Sequence, residues 1–465
     1  MFYQVPQHID NNKIFIVQRS EIEGRLDPKM ALYNRKVQNS LYPKVKLKDV
    51  LVCKPQYGAS EPGVPRSSIK EPRYIRITDI DENGLISHDE LGATAKIIED
   101  KYILCENDIL IARSGATVGK AYIHKPALYD CFFAGYLIRF IINTDKALPE
   151  YIFTYTQLNA YKEWVNAIQR PSGQPNINSE EYQSLEIPLP NIERQQVIVD
   201  VIKSAYLQKK QKESEAKQLL DNVDAYILNE LGITLPEIKT DLKNRIFKVN
   251  RSELEERLDP TVYKDGIKLI SNNYDNVKLS SVAYINPTGT FKGKDIETPI
   301  SFIPMESIDE IYSEVSKLED TTIENASGFT KFKEGDLLWA KITPCMQNGK
   351  SAIAKNLTNG LGCGSTEFFV MRNKDERLAI EYLHVILHMK CVRETAMLYF
   401  GGSAGQQRVS SAFLENFNLP LPPKDKQIEI ANHVYTIRQK AKALQEEGKV
   451  LLEEAKRKVE SMIIG

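Results

Sequence analysis

Residues 14–28 read IFIVQRSEIEGRLDP, and residues 246–260 read IFKVNRSELEERLDP. Eleven of the fifteen positions match at an offset of 232, where unrelated segments would share about one, so the chain carries an internal duplication. The same offset aligns EIPLPNIERQ (Glu186 to Gln195) with NLPLPPKDKQ (Asn418 to Gln427), and PSGQPNINS (171–179) with SAGQQRVSS (403–411). Between these ends the offset drifts to 228 at Glu106-Asn107-Asp108 against Glu334-Gly335-Asp336, and to 230 at Gly119-Lys120 against Gly349-Lys350. Insertions and deletions therefore fall in the middle of each half. A unit of this size is far longer than the roughly 20 to 50 residues of a solenoid repeat. The expected organisation is two tandem domains, each followed by its own tail.

The 465 residues hold 61 Lys plus Arg against 62 Asp plus Glu, with 42% apolar and 26% charged. That is ordinary globular composition for several domains and excludes a disordered chain. No apolar run approaches the roughly 20 residues of a membrane span, and the amino terminus lacks a signal-peptide pattern, so no membrane partner and a cytoplasmic location are expected. Cys53, Cys105, Cys131, Cys345, Cys363 and Cys391 show no paired spacing, which argues against a disulfide framework or a structural zinc site. A net charge of -1 gives no global field for nucleic acid but leaves room for local basic patches.

The tails give the clearest local reading. Ile430, Val434, Ile437, Ala441, Leu444, Gly448, Leu451 and Ala455 follow an alternating four-three spacing that runs on to Val459, Met462 and Ile463, a heptad seam on a helix of about 40 residues. Ile198, Ile202, Ala205, Ala216, Leu219, Val223 and Ile227 form the matching seam, interrupted by Lys209 and Lys212. Each helix is the other's candidate partner in an antiparallel pair, with the small Ala216 and Gly448 at equivalent positions allowing close approach. The division expected is a first domain over 1–187, a helix over 188–235, a second domain over 236–419 and a helix over 420–465. The halves read as α/β or α+β, with equivalent strands at 74–80 and 302–308 and at 108–113 and 336–341. Ser20 with Glu23 and Ser252 with Glu255 form capping boxes, each opening a short helix that should stop at Asp27-Pro28 or Asp259-Pro260.

No catalytic signature survives inspection. Ser114-Gly-Ala-Thr-Val-Gly-Lys120 has too short a glycine spacing for a phosphate loop, and Ala121 replaces its magnesium-binding hydroxyl. His384 and His388 lie one helical turn apart without the glutamate or third ligand of a zinc site, which leaves a solvated or packed pair. There is no GxSxG elbow, no GxGxxG after a strand, and Ile285-Asn286-Pro287-Thr288 lacks the aromatic end of an adenine methyltransferase loop.

Two copies of a variable domain, an Ile-Pro-Leu-Pro or Leu-Pro-Leu-Pro hinge with Gln195 or Gln427 after it, and a long helix resemble the specificity subunit of type I restriction-modification systems. The RLDP starts, the segments DILIARSGATVGK and DLLWAKITPCMQNGK, and the SGQPNIN and AGQQRVS stretches recur in the same order twice, so the resemblance covers essentially the whole chain. The second loop departs from the first, with Ile-Thr-Pro-Cys in place of Ser-Gly-Ala-Thr. The resemblance implies a pseudo-twofold tandem of two target recognition domains joined by antiparallel coiled-coil helices, each domain reading one half of a split site on double-stranded DNA. It implies two modification subunits that methylate adenine with S-adenosylmethionine, and two restriction subunits that use ATP and Mg to translocate and cut. This chain would carry no cofactor and no active site. A specificity subunit of a related system that cuts on both sides of its site, a coiled-coil scaffold without DNA recognition, and a self-sufficient nuclease or methyltransferase are the other readings.

Base readout needs bidentate side chains in the major groove, supported by phosphate contacts. The first copy offers Arg113, Ser114, Thr117, Lys120, Arg170 and Gln174; the second offers Lys341, Thr343, Gln347, Lys350, Gln406 and Arg408. Gly173 and Gly405 are expected to serve tight turns. If the helices act as a ruler, about 40 residues span roughly 60 Å at 1.5 Å each, which places the half-sites no more than about 17 bp apart. Inserting one heptad between Gln218 and Leu219 and another between Val450 and Leu451 keeps the seams in phase. The gap between half-sites should then grow by about 3 bp with both half-sites unchanged; sequencing of methylated DNA measures it, and an active variant with an unaltered gap excludes the ruler.

Overall fold

The strand Ile109–Ala112 and its counterpart Leu337–Ala340 are buried at all four positions, as a strand must be when both faces of its sheet are covered. Ile109 and Ile111 pack with residues of the helices Pro149–Tyr155 and Asn159–Ile168, while Leu110 and Ala112 meet Ile75, Cys131 and Phe133 of a second sheet. Leu337 and Trp339 likewise face helices, and Leu338 faces Ile303 of its own second sheet.

The computed structural model describes residues 28–37, 40–86, 91–169, 175–236, 259–403 and 406–465, with single residues at 16, 248, 249 and 251. It divides into two compact units, Met1–Gln211 with Glu447–Gly465, and Lys212–Glu446. In the first unit the central sheet runs Gln56–Tyr57, Leu137–Phe140, Ile109–Ala112, Ala121–Ile123, all antiparallel. Its second sheet runs Val64–Pro65, Ala93–Thr94, Arg73–Ile75, Cys131–Phe133, the last pair parallel. In the second unit the central order is Ala283–Ile285, Phe368–Asn373, Leu337–Ala340, Ser351–Ile353. The second sheet is Glu319–Thr322, Pro299–Ile303, Leu361–Gly364, Thr330–Lys333, again with one parallel pair. The α+β tandem duplication is thus present as expected. The expected strands at 74–80 and 302–308 stop early, because 3-10 turns at Ile77–Asp79 and Met305–Ser307 follow them; in the first, the Arg76 N–H donates to Asp79 Oδ2.

Several repeated sequence elements turn out to be hydrogen-bonding devices. Asn107 and Gly335 both take positive φ, 70° and 82°, a conformation open to these two residue types at low cost. That turn lets Asp108 accept the Cys105 N–H and meet Arg139, and lets Asp336 accept the Lys333 N–H and form a two-armed pair with Arg372. The first proline of each hinge, Pro188 or Pro420, sits in a two-stranded ribbon, Lys44–Lys46 with Glu186–Pro188 and Asp275–Lys278 with Asn418–Leu421, where an absent N–H is tolerated. Tyr151 and Tyr382 donate to the Pro188 and Pro420 carbonyls. The glutamine after each hinge is fully buried. Gln195 Oε1 accepts the Leu148 N–H and its amide donates to Pro190 O; Gln427 Oε1 accepts the Ala379 N–H and its amide donates to the Arg377 and Pro422 carbonyls.

The first long helix covers Ile192–Asp221, continues after a break as Val223–Glu230, and the second covers Lys424–Ile463, 40 residues. In the first unit Ile198, Ile202 and Ala205 share a core with Leu452, Ala455, Val459 and Ile463. In the second unit Ala216 clusters with Ala441, and Val223 and Ile227 with Ile430 and Val434. Early residues of one helix thus meet late residues of the other, the antiparallel sense. Leu452, 2% exposed, takes the buried place expected of Leu451. A Cβ on Gly448 would stand 3.3 Å from Lys209 Cγ and 3.4 Å from Lys209 Cα, so the glycine makes room for the lysine that interrupts the seam.

A helix begins at the proline of each Asp-Pro pair, and the short helices expected to stop there lie outside the described residues. Helices cover Pro28–Val37 and Pro260–Asp265, and Asp259 Oδ1 accepts the Thr261 N–H. Proline at the first helical position has no N–H to lose, and in the second copy Asp259 caps the helix it precedes. The capping boxes Ser20/Glu23 and Ser252/Glu255 lie outside the described residues.

His384 and His388 are packed. His384 bonds Tyr435 Oη at 2.8 Å and Ser351 Oγ at 3.1 Å, and His388 Nε2 lies 3.2 Å from Glu310 O. Among the described residues no group of three or more His, Cys, Asp or Glu could hold a metal. Burial, reinforced by Arg438, pushes His384 down to about 3 from an ordinary 6.5. The unfolded chain therefore takes up this proton first, so the stability is complete above about 6.5 and is lost as pH falls from there toward 3. Phe153 holds the corresponding place in the first copy, counted from Tyr151 and Tyr382. His384→Phe should flatten the decline in unfolding free energy between pH 7 and pH 4.5 in urea titrations, and an unchanged slope would refute this assignment. Gln427→Leu strands two buried backbone groups and a third that is partly buried, and should cost about 2 to 4 kcal/mol; a loss below about 0.5 kcal/mol in the same titrations would show that water replaces the amide.

Candidate nucleic-acid interface

Each unit brings three chain segments to one corner of its central sheet, and the backbone does so identically in both. The Arg113 N–H donates to Tyr136 O and its carbonyl accepts the Ile177 N–H; the Lys341 N–H donates to Glu367 O and its carbonyl accepts the Val409 N–H. Bridges then join Ser114 to Asn176 and Ile342 to Arg408. The three segments are the strand end with its hairpin loop, the turn before the neighbouring strand, and the stretch ahead of Ser179 or Ser411. The sequence expectation linked the first and third. The second, with Tyr136 and Glu367, was missed because no repeated motif marks it.

The two hairpin loops share glycine-lysine for reasons of packing. Gly119 has φ +87°, and a Cβ there would lie 2.8 Å from Val165 Cγ2; Gly349 has φ +91°, and a Cβ would lie 2.9 Å from His388 Nε2. Lys120 Nζ donates to Ile80 O, and Lys350 Nζ donates to Met305 O at 3.2 Å. Each ammonium therefore fastens its loop to the turn that follows the first parallel strand of the second sheet.

The remaining side chains differ between the copies. Arg113 stacks its guanidinium 4.9 Å above the Tyr57 ring, whereas Lys341 holds its ammonium 5.6 Å above Phe369. Ser114 and Thr117 are half-buried in the first loop. In the second, Thr343 donates its hydroxyl to Gln347 Oε1, the Gln347 amide nitrogen faces Met397 Sδ at 3.8 Å, and the Gln347 carbonyl accepts from Arg393. Arg393 is a further residue that sequence reasoning passed over; its Nε also donates to His388 O. Gln406 is exposed and its carbonyl accepts from Arg408 Nη1. Arg408 closes a two-armed pair on Glu367, with donor distances of 2.7 to 3.1 Å. Arg170, Gln174, Gly173 and Gly405 lie outside the described residues. The corner offers hydrogen-bond donors on a fixed backbone, the arrangement needed for a base edge or a phosphate.

Glu367 neutralises Arg408 at an exposed site. Glu367→Gln should release that cation, raise nonspecific DNA affinity at low salt and steepen the log affinity against log salt slope by about one. Fluorescence anisotropy across a salt series measures both, and an unchanged slope would place Arg408 away from the nucleic acid.

Among the described residues no helix is long and apolar enough to cross a membrane. The family model described as the type I restriction modification DNA specificity domain matches residues 73–219 and again residues 271–453. The chain is similar to the EcoEI specificity subunit of a type I restriction enzyme from Escherichia coli, 35% identical over 168 residues, or 35% of this chain and 27% of that protein. It is also similar to the EcoAI specificity subunit from the same organism, 34% identical over 183 residues, or 38% of this chain and 29% of that protein. The matched stretches thus span under a third of either relative's length. A solved chain from work on complex assembly and conformational transition of the type I R-M system shares the fold at a TM-score of 0.50 and 16% identity, covering 90% of this chain and 96% of that one. The two matched segments together take in more than half of the residues, and the chain belongs to the type I restriction modification DNA specificity domain family.

Proposed function

We propose that this chain is the sequence-recognition subunit of a type I restriction-modification complex. It binds a bipartite site on double-stranded DNA, one half-site to each unit, and scaffolds two modification and two restriction subunits. The observation that carries the reading is the sheet corner built twice on one backbone plan, by the same hydrogen bonds, with different side chains at each. A conserved frame with exchanged functional groups is what two readers of unlike sequences require, because phosphate contacts can be shared while base contacts cannot. Arg113, Ser114, Thr117 and Lys120, with Arg170 and Gln174, would serve one half-site. Lys341, Thr343, Gln347, Lys350, Gln406 and Arg408 would serve the other. Methyl transfer with S-adenosylmethionine, and translocation and cleavage with ATP and Mg, belong in this reading to the partner subunits, and this chain contributes no catalytic group.

With a net charge of -1, the chain alone should bind DNA weakly and with a steep salt dependence, and gain affinity and selectivity once modification subunits are added. In that complex Lys341→Ala should cost about 1 to 3 kcal/mol in recognition of one half-site only if it contacts a base there. Binding selections with and without the partner subunits measure both. Tight, selective binding by the chain alone, or a Lys341→Ala effect spread over both half-sites, would contradict the proposal.

A further inference from the structure

We infer that Arg113 reads a guanine in the half-site bound by the first unit, an assignment that rests on the function proposed above. The residue is fixed at its root, since it ends a fully buried strand and its N–H and carbonyl are both used. Its guanidinium is fixed at its tip, stacked 4.9 Å over Tyr57. That ring is itself held from two elements. Its strand pairs with Leu137–Phe140, and its hydroxyl accepts the Ser179 N–H at 3.1 Å.

Unlike Arg66, Arg76 and Arg139, Arg113 gives its side-chain donors to no described residue. Arg66 donates to the carbonyls of Leu91, Ile69 and Glu71, Arg139 to those of Ile103 and Lys101 and to Gln56 and Asp108, and Arg76 to Asp79. The Arg113 guanidinium has no hydrogen-bond or ion-pair partner among the described residues, and its Nε is buried without one. The fold does not demand this. In the second unit the same backbone position carries Lys341, and the guanidinium at that corner, Arg408, is closed by Glu367. The first unit has Tyr136, 67% exposed, where Glu367 stands, so no carboxylate competes for the fork. An arginine fork is planar and matches the N7 and O6 acceptors of guanine in the major groove. An aromatic platform that holds it in place reduces the entropy lost on contact.

The test uses the complex reconstituted with its modification subunit and a DNA library randomised over both half-sites, with methylated products sequenced. The wild type should show one guanine in one half-site whose replacement lowers methylation about tenfold or more. Arg113→Ala should relax that position to within about threefold among the four bases. Arg113→Gln should move the preference toward adenine, because a carboxamide pairs with adenine N6 and N7. Arg113→Lys, which keeps the charge and loses the fork, should weaken discrimination there. The other half-site should not change in any variant, and thermal melting should match the wild type. A guanine preference that survives in all three variants, or a loss of methylation equal for every sequence as a phosphate contact would give, overturns the inference and leaves the proposed function intact. A wild-type complex that selects no bipartite site overturns both.

Discussion

A single carboxamide in each copy sets where the long helix begins. Gln195 and Gln427 are fully buried, and each ties the first turn of its helix to the start of the short helix that covers the central sheet. The side chain both accepts and donates, which no hydrophobic replacement of the same volume can do, and burial makes each contact costly to lose. The tyrosine hydroxyls on the Pro188 and Pro420 carbonyls secure the same junction from the other side. Because the junction is rigid, the sheet corner and the helix keep a fixed relation within each copy. A recognition surface held on a strand end is more accurate than one carried by a free loop.

The duplication supplies an internal control. Where both copies share a residue, the fold explains it: Gly119 and Gly349 have no room for a side chain, and Lys120 and Lys350 donate to carbonyls of corresponding turns, Ile80 and Met305. Where they differ, packing does not dictate the choice. Tyr136 against Glu367 and Asn176 against Arg408 sit at matched backbone positions, all exposed except the half-buried Glu367. The same comparison separates the buried histidine of the second copy from Phe153 in the first, a difference the core tolerates only because Tyr435 and Ser351 satisfy the ring nitrogens.

The sequence was most informative where a pattern is local. The heptad seam, the repeated hinge and the continuous apolar strands at 109–112 and 337–340 follow from periodicity, and all but the Leu451 position of the seam stand where expected. It misled where neighbouring positions compete: Leu451 and Leu452 differ by one position on a helix face, and only Leu452 is buried. The corner itself was half legible. Arg113 and Lys341 could be picked out at strand ends, but the partners that decide their chemistry are remote in the chain. Tyr57 lies 56 residues before Arg113, and Glu367 lies 41 residues before Arg408. No spacing rule links such pairs; only the antiparallel order of the sheet brings them together.

The apolar core of the first unit is assembled from two distant stretches, because Leu452, Ala455, Val459 and Ile463 belong to it along with Ile198 and Ile202. During translation, residues up to Gln211 leave the ribosome long before these side chains exist. At about 5 to 20 residues per second the wait is on the order of tens of seconds. The nascent unit must spend that interval with an uncovered helix face, an opening for chaperones or for pairing with the wrong helix. The unit that is begun first is thus the one completed last.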